Sequence, residues 1–171
     1  MSPHWLLLAP MPNHPCCCDS DTTAAAAAAA AQCLYELVVK TAAVEGAGTD
    51  ARISLKLSSA DGRSVLEVGD LESWGWLGAD YDYFEPGDLD IFGRRHECLA
   101  TMPCRMLLVS DGSSDKPDWY PNMVEIIQIT TDLSVTVRKF FLHQWLAADR
   151  PPYQLFAYQD LCANDAAAGA A

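Results

Sequence analysis

Basic side chains are scarce in this chain of 171 residues, which has 11 Lys and Arg against 23 Asp and Glu and a net charge of −12. A nucleic-acid partner rewards clustered cations that meet its phosphates, so this scarcity excludes that class. It argues equally against simple electrostatic docking on anionic lipid. No apolar run reaches the roughly 18 residues that a membrane-spanning helix needs. A Gly-x-Ser-x-Gly elbow, a phosphate-binding glycine loop and a metalloprotease helix are all missing. Of the four histidines, His4 and His14 lie in a low-complexity stretch, and His96 falls in the polar run from Arg94 to Glu97. Carboxylates such as Asp80 and Asp82 could serve glycoside hydrolysis only beside a long carbohydrate cleft, so no enzyme is expected.

What the sequence does have is an unusual loop. Between Arg63 and Arg94 there is no Lys or Arg, yet there are eight acids: Glu67, Asp70, Glu72, Asp80, Asp82, Glu85, Asp88 and Asp90. Threaded among them are Trp74, Trp76, Tyr81, Tyr83, Phe84 and Phe92. Glycines and a proline interrupt the run, which reads as loop over most of its length. So acidic a loop repels itself without a cation, and so aromatic a loop is costly to leave in water.

Residues 1–32 hold Pro3, Pro10, Pro12 and Pro15, the cluster Cys16, Cys17 and Cys18, and the alanine run from Ala24 to Ala31. They read as a low-complexity segment and match a secretory signal poorly, with no basic residue ahead of the short apolar stretch from Trp5 to Ala9. Residues 163–171 read as a second, alanine-rich tail, which leaves 33–162 as one domain. Within it Cys33, Cys98, Cys104 and Cys162 are even in number. Their layout reads as Cys33–Cys162 and Cys98–Cys104, although four cysteines permit three pairings and four reduced thiols are a further alternative. Zinc is excluded by the missing C-x-x-C and histidine spacing.

Strand patterns fill the domain. Arg52 to Leu57 alternates, with Ile53, Leu55 and Leu57 on one face and Arg52, Ser54 and Lys56 on the other. Leu34 to Thr41, Ser64 to Val68, Leu89 to Phe92, Cys104 to Val109, Asn122 to Thr130, Leu133 to Phe141 and Tyr153 to Tyr158 complete eight candidates. Only Leu142 to Ala148 hints at a helical turn. Eight short strands with regular loop signals predict an all-β sandwich or barrel.

Four motifs then follow in one order: Ala47-Gly48-Thr49-Asp50-Ala51; the run from Asp82 to Phe92; Ser110-Asp111-Gly112 followed by Pro117-Asp118-Trp119-Tyr120; and Val124-Glu125-Ile126. Together with Trp74-Gly75, the stretch Gln144-Trp145-Leu146-Ala147 and Pro152-Tyr153-Gln154-Leu155, they resemble the PLAT, or lipoxygenase-homology, domain. More narrowly they resemble the plant stress-associated and embryo-specific single-domain type. The resemblance covers about residues 33–162. It implies an eight-stranded antiparallel β-sandwich of two four-stranded sheets, without catalysis, that contacts lipid or protein and in several relatives binds calcium. It also implies a secretory route, which the N-terminal residues do not support, and a third disulfide for which this chain lacks the cysteines. A monomer is expected.

The resemblance supplies the candidate site. Calcium prefers six to eight hard oxygens. Gly48, Thr49 and Asp50 form one ligand loop, Asp80 and Asp82 a second, and Asp118 a third. The alternative is that Gly48-Thr49-Asp50 is merely a tight turn and the aspartates cap loops. Indole suits a membrane interface or a protein hot spot, so Trp76 and Leu77 are the contact candidates. Trp74 is either exposed with them or folded back over the sandwich end, while Trp119 and Trp145 are expected in the core. A protein-interaction scaffold with a structural loop is the second reading, and a carbohydrate-binding sandwich the third.

Overall fold

A computed structural model describes residues 30–163. The two low-complexity segments lie almost wholly outside those residues, as do Cys16, Cys17 and Cys18. Eight strands occupy the described chain: β1 (Gln32–Thr41), β2 (Ile53–Ser58), β3 (Val65–Val68), β4 (Leu89–Glu97), β5 (Arg105–Ser110), β6 (Pro121–Ile129), β7 (Val135–Phe141) and β8 (Phe156–Asp160). They form two four-stranded antiparallel sheets in the orders β4-β1-β6-β7 and β3-β2-β5-β8.

The alternation in the sequence becomes the two sides of each sheet. On β1, Cys33, Tyr35, Leu37 and Val39 are buried while the residues between them are only partly so. Ile53, Leu55 and Leu57 on β2 and Met106 and Leu108 on β5 meet them from the other sheet, and Val124, Ile126 and Phe140 complete the β1 side of the core. Each such side chain, fully buried, contributes about 1.5–3 kcal/mol relative to exposure. At one end of the sandwich, Phe84 stacks on Phe92 at 5.5 Å between ring centroids and meets Trp119 edge-on at 5.0 Å. The indole N–H of Trp119 donates to Thr41 Oγ1 at 3.1 Å, so its one polar atom is satisfied in the core.

The cysteines are bonded, but not in the expected pairs: Cys33 joins Cys98 and Cys104 joins Cys162. The cause is sheet membership. Cys33 on β1 pairs with His96 of the neighbouring β4, which brings Cys98 alongside, and the Cys98 N–H donates to Ala31. Arg105 on β5 pairs with Asp160 on β8, which sets Cys104 beside Cys162. The expected pairs would each have had to cross from one sheet to the other.

Trp145 is a second departure, since it is only partly buried, between the Tyr120 ring at 5.1 Å and the Arg150 guanidinium at 4.2 Å. Inside the acidic run a 3-10 turn, Glu72–Trp74, buries Trp74 against the core. Gly75 then bridges to Phe92, so the loop covers part of the open edge of β4, the kind of cover that keeps an edge strand from pairing with another chain.

Candidate functional site

Three loops meet at the end of the sandwich where β1 and β5 finish and where β2, β4 and β6 start. The β1–β2 loop carries Gly48, Thr49 and Asp50. Gly48 has no room for a side chain, because a Cβ there would lie 2.7 Å from Pro86 Cδ and 3.0 Å from the Phe84 carbonyl oxygen. That close approach docks the loop onto the acidic run. Thr49 is buried and its hydroxyl points inward, donating to the Lys116 carbonyl at 2.7 Å and accepting from the Ala51 N–H at 3.1 Å. The Asp50 N–H donates to the same carbonyl at 3.2 Å. The hydroxyl of Thr49 therefore joins loops, while Asp50 faces outward.

The acidic run is shaped by Asp90. This aspartate is buried on β4, and its Oδ2 accepts from the Phe84 N–H at 2.9 Å. Its Oδ1 has no partner, and burial pushes the carboxyl above its ordinary value. The bond holds Phe84 at φ 64°, a backbone region that bulky residues seldom adopt. Reversing the chain there leaves Asp82 and Glu85 on the surface facing Asp50. One carboxylate oxygen from each of Asp50, Asp82 and Glu85 lies within 4.8 Å of the others.

Two of the sequence candidates stand differently. Asp80 lines the same depression of about 480 Å³, with Thr49, Asp50, Glu72 and Asp82, but lies outside the triad. Asp118 pairs with Arg150 at 3.0 Å and is not one of the three grouped carboxylates. Glu85 is the ligand candidate that sequence reasoning missed. Glu72 adds negative potential, and its carboxyl is raised by burial and then by Asp70, Asp82 and Asp50. Asp111, from the Ser110-Asp111-Gly112 motif, accepts from the N–H groups of Arg52 and Ser113.

One cation reaches the triad. Lys116 Nζ is 3.5 Å from Asp50 Oδ1 and 3.4 Å from Glu85 Oε1, and these two carboxylates raise its ammonium above the ordinary value. The donor set is otherwise all oxygen, carried on loops and open to water. It fits calcium, a hard ion of flexible geometry, better than zinc, which prefers nitrogen and sulfur.

The contact candidates sit beside this cluster. Trp76 is 56% exposed and Leu77 63%, whereas Trp74 is the one folded back into the core. The Trp76 indole packs against Gly93 of β4, where a Cβ would collide with Nε1. The Leu77 N–H donates to Tyr83 Oη at 3.0 Å, and Tyr83 follows Asp82 directly in the chain. Carboxylate cluster and apolar pair are thus joined through one tyrosine. No helix among the described residues is long and apolar enough to cross a membrane.

No protein-family model matches the chain. Among curated proteins it is 40% identical over 131 residues to PLAT domain-containing protein 1 of Arabidopsis thaliana, covering 76% of this chain and 72% of that protein. It is 44% identical over 105 residues to PLAT domain-containing protein 3 of the same plant, covering 60% of this chain and all of that protein. Among solved structures, a LOX crystal structure superposes with a TM-score of 0.54 at 26% identity, over 75% of this chain but only 16% of the larger one. A calcium-dependent 11R-lipoxygenase gives 0.52 at 24% identity over 75% of this chain and 17% of its own, and supports the fold alone. With this sandwich and the length of the Arabidopsis matches, the chain belongs to the plant PLAT domain-containing proteins.

Proposed function

We propose that this PLAT domain is a non-enzymatic, calcium-responsive binding module that presents Trp76 and Leu77 to a lipid surface, in plant stress response or seed and embryo development. The observation that carries the reading is the placing of three carboxylates within 4.8 Å of one another beside two exposed apolar side chains. Bound calcium supplies two positive charges, which offset the acids that would otherwise repel lipid phosphate. Asp50, Asp82 and Glu85 hold it. Tyr83, next to Asp82, holds the Leu77 backbone through its hydroxyl and so couples the state of the carboxylates to the contact pair. The two disulfides fit an oxidising, secretory setting.

The test is vesicle co-sedimentation with calcium and with chelator, for the parent chain and Trp76→Ala. Binding in calcium alone, reduced at least about tenfold in the variant, is expected from losing an interfacial indole. Equal binding in both conditions, or none in either, sinks the reading.

A second reading, a protein scaffold, is favoured by the outer face of the β4-β1-β6-β7 sheet. Leu89, Val135, Val137 and Phe141 are all about half exposed there, and β6 places Met123 and Ile127 beside Phe141 and Val137. Exposed apolar patches of this kind mark protein contacts. Vesicle binding unchanged in Trp76→Ala, with protein partners lost in Val137→Lys, would select the scaffold.

A further inference from the structure

We propose that Lys116 is a tethered competitor for the divalent cation, so that it sets the affinity of the carboxylate site; this rests on the calcium reading above. The ammonium already bridges two of the three candidate ligands, at 3.5 Å from Asp50 and 3.4 Å from Glu85. The side chain reaches them from a fixed base. The Lys116 carbonyl accepts from both the Thr49 hydroxyl and the Asp50 N–H, which binds the lysine's own backbone to the ligand loop. Other nearby cations are committed elsewhere, Arg52 to Asp70 at 3.8 Å and Arg150 to Asp118 at 3.0 Å. The acidic run itself supplies none.

A calcium ion takes carboxylate oxygens at about 2.3–2.6 Å. It cannot hold Asp50 and Glu85 at that range without meeting the ammonium, which must swing out or stay as a repelling neighbour. Each unit-charge pair at about 4 Å in water corresponds to about a fivefold change in an equilibrium constant. Because the lysine side chain is largely exposed and free to swing away, the retained effect is about tenfold for a doubly charged ion. In the absence of metal the same lysine offsets part of the repulsion among the three acids. The loops are therefore held together before calcium arrives, and calcium exchanges for an internal cation rather than filling a bare anionic ring.

The experiment is calorimetric titration of calcium chloride into the full chain at low salt, for the parent, Lys116→Met and Lys116→Arg, with the calcium-induced rise in melting temperature as a second readout. Lys116→Met is expected to bind about tenfold more tightly and Lys116→Arg like the parent. Equal or weaker binding by Lys116→Met overturns the competitor role and leaves the calcium reading standing. No binding by any of the three overturns both. Should Lys116→Met misfold, Lys116→Gln carries the same comparison at the same exposed position.

Discussion

The disulfide pairing makes a prediction whose size follows from loop length. Cys33–Cys98 and Cys104–Cys162 close loops with sequence separations of 65 and 58 residues. Loop-closure entropy gives each about 4 kcal/mol as an upper bound. The pairing expected from the layout of the sequence would instead give about 5 kcal/mol for the end-to-end bridge and about 2 for the short one. Replacing Cys33 and Cys98 by serine should remove one bridge and leave the other intact. With each kcal/mol worth about 3–5 °C in a domain of this size, melting should fall by up to about 20 °C without exposing new thiols. Replacing Cys33 and Cys162 should break both bridges and leave Cys98 and Cys104 free. The loss of about 8 kcal/mol is comparable to the whole stability of a typical domain. Thermal unfolding by circular dichroism, thiol titration against the parent and non-reducing peptide mapping read all three consequences. A Cys33–Cys162 peptide, or no new thiols in the Cys33/Cys162 variant, would refute the assignment.

Two further predictions concern the acidic loop. Asp90→Asn keeps an acceptor for the Phe84 N–H and removes a buried charge, so it should be at least as stable as the parent at pH 7, while Asp90→Ala should lose about 1–3 kcal/mol. The sign with pH follows from the raised carboxyl: its stabilising contribution is full below the unfolded carboxylate pKa and is lost as pH rises through the folded value. The advantage of Asp90→Asn should therefore shrink on acidification, and urea melts in which it grows would count against this account. Gly75→Ala would set a Cβ 2.1 Å from Tyr83 Oη and displace the ring that holds Leu77, costing about 1–3 kcal/mol, whereas Tyr83→Phe should cost only about 1. Equal melting temperatures for Gly75→Ala and the parent would show that the Trp76 loop is not braced in this way.

Strands were legible wherever one side faces the core and the other does not, as on Ile53–Ser58. Legibility failed where that contrast fades. β4 continues beyond Phe92 to Glu97 through Gly93, Arg94 and Arg95, and none of the five residues past Phe92 is buried, so no alternation is left to read. β7 begins at Val135 rather than Leu133, because Asp132 and Ser134 share hydrogen bonds with Thr130 that turn the chain, with Leu133 at φ 65°. Tyr153, at φ 61°, likewise belongs to the turn before β8. Asp50 and Asp82 are candidates by resemblance, and only the docking of their loops brings the two carboxylates together. Glu85 was missed because it looks like one more surface acid until Phe84 reverses the chain. Asp118 was included because nothing in its own motif announces Arg150, 32 positions later. The disulfides needed knowledge of which strands are neighbours, which no local pattern carries.

The pairing that the sequence did not disclose also bears on how the candidate site works. Cys33 and Cys98 lie where β1 starts and β4 ends, and Cys104 and Cys162 where β5 starts and β8 ends. Asp50, Asp82, Glu85 and Lys116 lie at the opposite ends of β1, β4 and β5. A ten-residue strand separates the two poles by about 30 Å. One pole is therefore held covalently, and the other by hydrogen bonds, close glycine packing and one lysine. Contacts of the second kind contribute about 1 kcal/mol each and can be exchanged for ligand bonds, whereas the covalent pole cannot respond. Under the calcium proposal, breaking either disulfide should lower the melting temperature while leaving calcium affinity at the far pole within about twofold. A large loss of affinity in the folded Cys104→Ser/Cys162→Ser protein would mean that the two poles are coupled through the sheets and that this division of labour is wrong.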